Sequence, residues 1–192
     1  MNLGGNNMDK GSEYYQRYLS GDPEGMNLLI RDYSDGLMLF LNSYVHDMNT
    51  AEELMMETFV RLGVKKPRDK GKCSFKTWLY TIGRNIAVDY LRSHKVNFVG
   101  LEEIPEVPAS QQSSPEEHIL ANERNAAIRR AMDHINPDYC HGLWLFYFEE
   151  MSTKDISRVT GRTVHATELM LSRARKALRD ELIKEGYDDE NL

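Results

Sequence analysis

The sequence predicts an all-α fold, two small helical domains joined by an acidic linker, from three observations. Apolar residues recur at spacings of three and four, and no stretch alternates apolar and polar residues convincingly as a strand would. Helix caps followed by proline stand at Asp22-Pro23 and Ser114-Pro115. Residues 96–114 form a connection too long for a compact domain, with two prolines and the run SQQSS. These features divide the chain into a disordered N-terminus (1–13), a first domain (14–95), the linker (96–114), a second domain (115–185) and an acidic tail (186–192).

In the first domain, a helix is expected to start at Asp22-Pro23 and another at the capping-box pair Thr50 and Glu53, or at Asn49 and Glu52. A third should begin near Ser74. Their predicted buried faces follow helical spacing. They comprise Leu29, Tyr33, Leu37, Phe40, Leu41 and Tyr44 on the first helix, Leu54, Phe59 and Leu62 on the second, and Phe75, Trp78, Leu79, Ile82 and Ile86 on the third.

The second domain should open with a helix after Ser114, Pro115 and Glu117 that ends at Asn136-Pro137, followed by an aromatic helix over residues 139–148. Ser152 and Asp155 then begin a short helix, Thr160-Gly161 turns the chain, and Thr163 caps a longer helix reaching about residue 185. That order is typical of a helix-turn-helix, whose second helix enters the DNA major groove. A helical hairpin with a solvated charged face would fit this segment about equally well.

Charge is segregated along the chain, although the formal net charge of -6 alone disfavours a nucleic-acid partner. Residues 61–95 carry ten Lys and Arg against two Asp, whereas residues 96–123 carry glutamates and no Lys or Arg. Such segregation indicates different partners for different segments. No apolar run is long enough for a membrane span, and the N-terminus lacks the features of a secretory signal, so we expect a cytoplasmic protein without membrane insertion.

No enzymatic activity and no cofactor or metal are expected. The six histidines are scattered singly, without nucleophile-base or metal-ligand spacing. Cys73 and Cys140 are far apart and lack CxxC or Cys/His partners.

Two blocks of sequence resemble the extracytoplasmic-function group of bacterial sigma factors. The first is AEELMMETFVRL (51–62) with SFKTWLYTIGRNIAVDYLRS (74–93), and the second is DISRVTGRT (155–163) with LSRARKALRDEL (171–182). The resemblance covers roughly residues 14–95 and 115–185. The pattern FxxWLxxIxRNxxxDxLR is far more specific than the helix-turn-helix alone.

The resemblance implies that the AEEL helix docks on the largest subunit of RNA polymerase core, with the second-largest subunit also contacted. The implied polymerase-binding residues are Glu52, Glu53, Leu54, Met56 and Glu57, where Met56 replaces the family's usual glutamine. From spacing alone, a solvated acidic helix over a methionine-filled core is equally plausible. The acidic linker would thread through basic polymerase channels by resemblance, or serve as a solvated spacer.

The family's promoter-melting role requires stacking pockets and cations along a single strand. By resemblance, the loop between Gly63 and Cys73 captures a flipped base of the minus-10 element. The implied strand-lining residues are Lys72, Lys76, Tyr80, Arg84, Asn85 and Arg92. Trp78 could stack on a base, but its place on the apolar stripe favours a core role. Asp89 is expected to pair with a nearby arginine.

The implied minus-35 reader is the last helix, through Arg162, Thr163, His165, Thr167, Arg173, Arg175 and Lys176. Glu168 and Met170 stand where the family has cations, which puts duplex recognition in doubt. We therefore expect a promoter-specific initiation factor that binds RNA polymerase core and promoter DNA, and whether an anti-sigma factor holds it stays open. The alternatives are a sigma-like interaction module without promoter recognition and a stand-alone helix-turn-helix regulator.

Overall fold

The computed structural model describes residues 9–67, 71–97, 128, 130–132 and 134–187, and the side chains of 95–97 are not included. All secondary structure in these ranges is helical. The expected start of the second domain at Ser114, nearly all of the linker and the last residues of the tail lie outside the described residues. The N-terminal group consists of α1 (Lys10–Leu19), α2 (Glu24–Val45), α3 (Met48–Lys65) and α4 (Phe75–Asn97), and the C-terminal group of α5 (Pro137–Tyr147), α6 (Thr153–Thr160) and α7 (Val164–Lys184).

The first helix, α1, begins at Lys10, whereas the first ordered domain was expected to begin at residue 14. Asp9 explains the earlier start, because its carboxylate caps two helices at once. One oxygen accepts from the Ser12 N–H at 3.0 Å and the other from the Phe75 N–H at 2.8 Å. The N-terminal end of α4 is thereby tied to α1, and the expectation of disorder is wrong for residues 10–13.

The helix α2 follows the Asp22-Pro23 start closely, and the Asp22 carboxylate accepts from the Glu24 N–H at 3.0 Å. It ends where His46 adopts a left-handed conformation, with φ of 52°. Its predicted buried face is confirmed: four of its residues are fully buried and the two tyrosines partly so, namely Leu29, Leu37, Phe40, Leu41, Tyr33 and Tyr44.

The helix α3 starts earlier than the predicted capping boxes, because Asp47 is the residue that caps it. Its carboxylate accepts from the Thr50 N–H at 2.8 Å and from the Thr50 hydroxyl at 2.6 Å. Thr50 therefore lies inside the helix and does not cap it. The predicted interior residues Leu54, Phe59 and Leu62 are buried, as are Phe75, Leu79 and Ile86 on α4.

The C-terminal group contains the predicted helix-turn-helix. Ser152 caps α6, Gly161 makes the left-handed turn with φ of 70°, and the Thr163 hydroxyl caps α7 by accepting from the Ala166 N–H at 3.1 Å. The aromatic helix α5 begins at Pro137, earlier than predicted, because the Asn136 side chain caps it by accepting from the Asp138 N–H at 2.9 Å. Asn136-Pro137, which was expected to end the preceding helix, therefore also starts α5.

The two helical groups share a core. Leu145, Met151, Ile156 and Val159 from the C-terminal group belong to the same buried cluster as the interior residues of α2 and α4. Helix α6 packs against α4, and α5 packs against α2. We call this contact the seam, and it covers one side of α4. Among the described residues, no helix is long and apolar enough to cross a membrane.

Candidate polymerase and nucleic-acid interfaces

The acidic face of α3 lies open to solvent. Glu52, Glu53 and Glu57 are exposed, and the Met56 side chain is 58% exposed. Leu54, by contrast, is only 4% exposed and packs into the core. The prediction that Leu54 contacts a partner is therefore corrected, because its position on the buried face of α3 makes it an anchor for the helix.

An apolar stripe that sequence reasoning missed runs beside these glutamates. Met56, Val60 and Val64 are spaced by four residues along α3 and are 58%, 58% and 78% exposed. Residues at this spacing lie on one helix face. Large apolar residues grouped on an exposed face, with charged residues at the rim, mark an interaction site more often than single ones do. The four-residue spacing could have revealed the stripe, but it was masked by the buried stripe of the same helix.

The predicted strand-lining residues fall into two sets. Lys72, Asn85 and Arg92 are exposed, and Arg92 lies 4.0 Å from Asp89, which bears out the expected pairing of that aspartate. Lys76, Tyr80 and Arg84 instead face the seam. Tyr80, which the resemblance places along the strand, is only 1% exposed, because it packs on Phe40 beneath the C-terminal group.

Trp78 is a core residue, as its place on the apolar stripe predicted. Its ring lies edge-on to Tyr15 at 5.4 Å and to Phe75 at 5.7 Å between centroids. The tryptophan remains partly exposed, since it lies at the margin of this aromatic cluster.

The recognition helix α7 presents most of its predicted contacts to solvent. The exposed set is Arg162, Thr163, His165, Arg173, Arg175 and Lys176. Thr167 is the exception: it is fully buried, and its hydroxyl donates to the Thr163 carbonyl at 2.9 Å. It cannot reach a base edge from this position, so that assignment is corrected.

Of the two departures from the family pattern on α7, only one lies on the surface. Met170 is 5% exposed and lies against Gly142, where a Cβ would stand 2.6 Å from the methionine methyl. A cation at this position would be buried, so its absence removes no surface contact. Glu168 is exposed, with a carboxylate oxygen 3.8 Å from His165 Nδ1.

Acidic groups and rings hold several of these cations in place. Arg162 makes an ion pair with Asp138 at the start of α5, and the Arg175 guanidinium lies over the Phe146 ring at 5.0 Å. Beside Arg162 and Arg173 lies a groove of about 330 Å³, also lined by Tyr139 and Leu169. The leading end of α7 is thus a mixed surface, with cations ordered by neighbours.

Where α5 meets α2, the seam contains a histidine contact. The His141 ring stacks on Tyr44 with centroids 3.5 Å apart, and its Nε2 donates to the Ser43 carbonyl at 3.0 Å. Burial lowers the pKa of His141 to about 4, and the hydrogen bond to Ser43 offsets only part of this effect. The imidazole is therefore neutral when the seam is closed.

This contact makes stability depend on pH. The pKa of His141 is about 4 in the folded chain, below its ordinary value of 6.5. The neutral, buried ring therefore makes its full contribution to stability above pH 6.5, and this contribution is lost as the pH falls. Asp138, His46 and Arg84 also act on the ring electrostatically, Asp138 alone raising its pKa. Between pH 7.5 and 5.5, we expect wild type to lose about 1.4 kcal/mol more free energy of unfolding than His141→Gln. Urea denaturation at both pH values measures this, and equal losses in the two proteins would contradict it.

Among the described residues, no group of three or more His, Cys, Asp or Glu side chains is arranged to hold a metal ion. The features that stand out are surfaces: the acidic and apolar face of α3, the cations of α4 and α7, and the seam between the groups.

Comparison with known proteins assigns both helical groups. Residues 29–96 match the family Sigma-70 region 2, and residues 125–178 match the family Sigma-70, region 4. Together these matches span well over half of the chain.

Individual curated relatives are also sigma factors. The chain is 25% identical over 162 residues to RNA polymerase sigma factor YlaC of Bacillus subtilis, covering 84% of this chain and 94% of the relative. It is 28% identical over 159 residues to ECF RNA polymerase sigma factor SigM of the same species, covering 82% and 94%.

Solved structures share the fold. The structure of CnrH in complex with the cytosolic domain of CnrY has a TM-score of 0.67 at 18% identity, covering 93% of this chain and 100% of that one. The co-crystal structure of sigma factor RpoE with the anti-sigma factor NepR from Bartonella quintana has a TM-score of 0.62 at 21% identity, covering 84% and 98%.

Proposed function

The chain belongs to the sigma-70 family, in its extracytoplasmic-function group, and from this premise we propose how its surfaces divide the work of promoter-specific transcription initiation. The observation that carries the proposal is the separation of two kinds of surface on one chain. An acidic and apolar face on α3 suits a protein partner, whereas the cations of α4 and α7 suit nucleic acid.

The α3 face docks on RNA polymerase core. Met56, Val60 and Val64 supply the apolar contact, and Glu52, Glu53 and Glu57 supply a charged rim. Buried apolar centres with polar rims are the usual anatomy of a protein interface. Val60 and Val64 therefore join the residues assigned from sequence, and Leu54 supports the helix from beneath.

The N-terminal group opens the minus-10 region. Lys72, Asn85 and Arg92 are available to the separated strand at once. Lys76, Tyr80 and Arg84 become available when the C-terminal group leaves the seam. Cations along a strand, with an aromatic ring for stacking, are what single-stranded DNA binding requires.

The C-terminal group contacts the minus-35 duplex through α7. Arg162, Thr163 and His165 lie at the leading end, where a recognition helix meets base edges, while Arg173, Arg175 and Lys176 follow along the same helix. Glu168 opposes this role by placing negative charge among them. Because Met170 is buried, the case for a degenerate module without promoter recognition rests on Glu168 alone.

We extend three further expectations to this chain. The segment over residues 96–114 acts as the acidic linker between the two DNA-contacting domains. Because RpoE in one solved structure is bound by the anti-sigma factor NepR, an anti-sigma partner is proposed here too. The cytoplasm, where polymerase acts, is the proposed location.

The minus-35 assignment predicts a specific loss. Arg173→Ala should weaken the complex of promoter DNA with polymerase and this chain about tenfold, since one well-placed arginine contact contributes roughly 1–3 kcal/mol. Lys184→Ala is the matched control, because Lys184 is an exposed cation at the far end of the same helix, paired with Glu181. Competition binding at fixed salt measures both, and equal effects of the two variants would reject a specific role for Arg173.

A further inference from the structure

Glu149 enters the seam as a buried carboxylate. It follows α5 in a turn where Glu150 has a left-handed φ of 52° and the Met151 N–H donates to the Leu145 carbonyl at 3.0 Å. These contacts fix the direction of the turn. The Glu149 side chain is only 8% exposed and points at α4 of the N-terminal group.

Two groups on α4 hold the Glu149 carboxylate. Lys76 Nζ lies 2.7 Å from one carboxylate oxygen and also donates to the Glu149 backbone carbonyl at 2.9 Å. The Tyr80 hydroxyl donates a hydrogen bond to the same carboxylate. Burial and the nearby Glu149 charge raise the pKa of Tyr80, which keeps this hydroxyl protonated as a donor.

A glycine on α2, Gly36, forms the opposite wall of the Glu149 site. A Cβ at Gly36 would stand 2.7 Å from a Glu149 carboxylate oxygen and 2.7 Å from the Tyr80 hydroxyl. Helix α2 therefore leaves just enough room for the carboxylate to reach Lys76 and Tyr80. The site is built by α2, α4 and the turn after α5, and it differs from a surface ion pair because the carboxylate is buried.

The donors that surround the Glu149 carboxylate are of the kind that bind a DNA phosphate. A DNA phosphate is held by ammonium groups and by hydroxyl donors, including tyrosine. A carboxylate offers the same kind of anionic acceptor to the same donors. Lys76 and Tyr80 are also the groups assigned above to the promoter strand, and they cannot hold Glu149 and a strand phosphate together.

We propose that Glu149 is an internal substitute for a promoter phosphate, which keeps the free chain closed and blocks single-stranded DNA until a partner separates the two helical groups. The inference rests on the proposed function of α4. Closure and strand binding then exclude each other, so whatever opens the seam raises affinity for the strand. The apparent affinity of the free chain falls by the fraction of molecules that are open.

The test compares two adjacent glutamates in the full chain. Glu149→Gln keeps the side-chain shape and removes the charge that pairs with Lys76, whereas Glu150→Gln makes the same charge change at an exposed position. Binding is measured by fluorescence anisotropy with a labelled single-stranded oligonucleotide at fixed salt. Glu149→Gln should bind about tenfold more tightly than wild type. Glu150→Gln reports the effect of net charge alone and should change the affinity less than about twofold.

A second variant opens the seam without changing charge. Gly36→Ala pushes against Glu149 and Tyr80 and should also tighten strand binding. Amide hydrogen exchange of α4 and the radius of gyration from solution scattering follow opening without any DNA or polymerase. We expect faster exchange over residues 76–84 and a larger radius in both Glu149→Gln and Gly36→Ala, with circular dichroism unchanged.

The outcomes separate this inference from the proposed function. If Glu149→Gln stays closed, or opens but binds the strand no better than Glu150→Gln, the inference is overturned. Wild-type chain that still directs polymerase to promoters would keep the proposed function intact in that case. Open variants with tighter strand binding support the inference.

Discussion

Assembly with RNA polymerase core should fail when Val60 is replaced by glutamate. Val60 lies at the centre of the α3 stripe, between Met56 and Val64, and is 58% exposed, so the substitution costs the free chain little. In the complex, the new carboxylate would be buried without a partner, which is costly. We expect the affinity for core polymerase to fall on the order of 100-fold, as at the centre of other interfaces.

The control for this loss is Ile30→Glu. Ile30 is an apolar residue on α2 that is 40% exposed and lies outside the stripe. Fluorescence polarisation of labelled chain titrated with core polymerase compares the three proteins, and circular dichroism checks that each is folded. Unchanged affinity in a folded Val60→Glu protein, or equal losses in both variants, would show that polymerase docks elsewhere.

The second large effect is expected in stability. Phe40 is fully buried, with its ring 5.3 Å from Tyr44 and 5.2 Å from Tyr80 between centroids. Replacing it by alanine removes this packing and leaves a cavity, which typically costs about 3–5 kcal/mol for phenylalanine. Because both tyrosines form part of the seam, Phe40→Ala should also loosen the C-terminal group.

Urea denaturation measures the effect of Phe40→Ala on the free energy of unfolding. Leu39→Ala is the matched control, since Leu39 is the neighbouring residue and is 37% exposed. Its cost should stay at about 1 kcal/mol or less. A Phe40→Ala protein as stable as Leu39→Ala would mean that the aromatic cluster around Phe40 does not anchor the fold.

The sequence predicted the helices well because helix caps depend on hydrogen bonds between residues that are close together in the chain. Ser152, Gly161 and Thr163 define the helix-turn-helix through contacts within a few residues, and all three act as expected. The start of α3 was placed too late because Asp47, Asn49 and Thr50 are all possible caps. Only the backbone geometry, extended at Asp47, decides among them.

The candidate site was less predictable because burial depends on distant residues. Tyr80 lies off the apolar stripe of α4, yet it is buried because it packs on Phe40 of α2 and meets Glu149, far along the chain. Thr167 and Met170 lie inward on α7 because α7 packs on α5, and neither spacing nor family resemblance revealed this. Spacing defines a helix face, but tertiary packing decides which face is covered.

The most direct test of promoter-specific initiation is run-off transcription from a genomic promoter library on double-stranded templates, using core polymerase with and without this chain. We expect new start sites that appear only with the chain and share minus-10 and minus-35 elements. Polymerase that binds the chain yet produces no new transcripts would contradict promoter-specific initiation, and a chain that does not bind core polymerase at all would contradict the assignment of α3 as well.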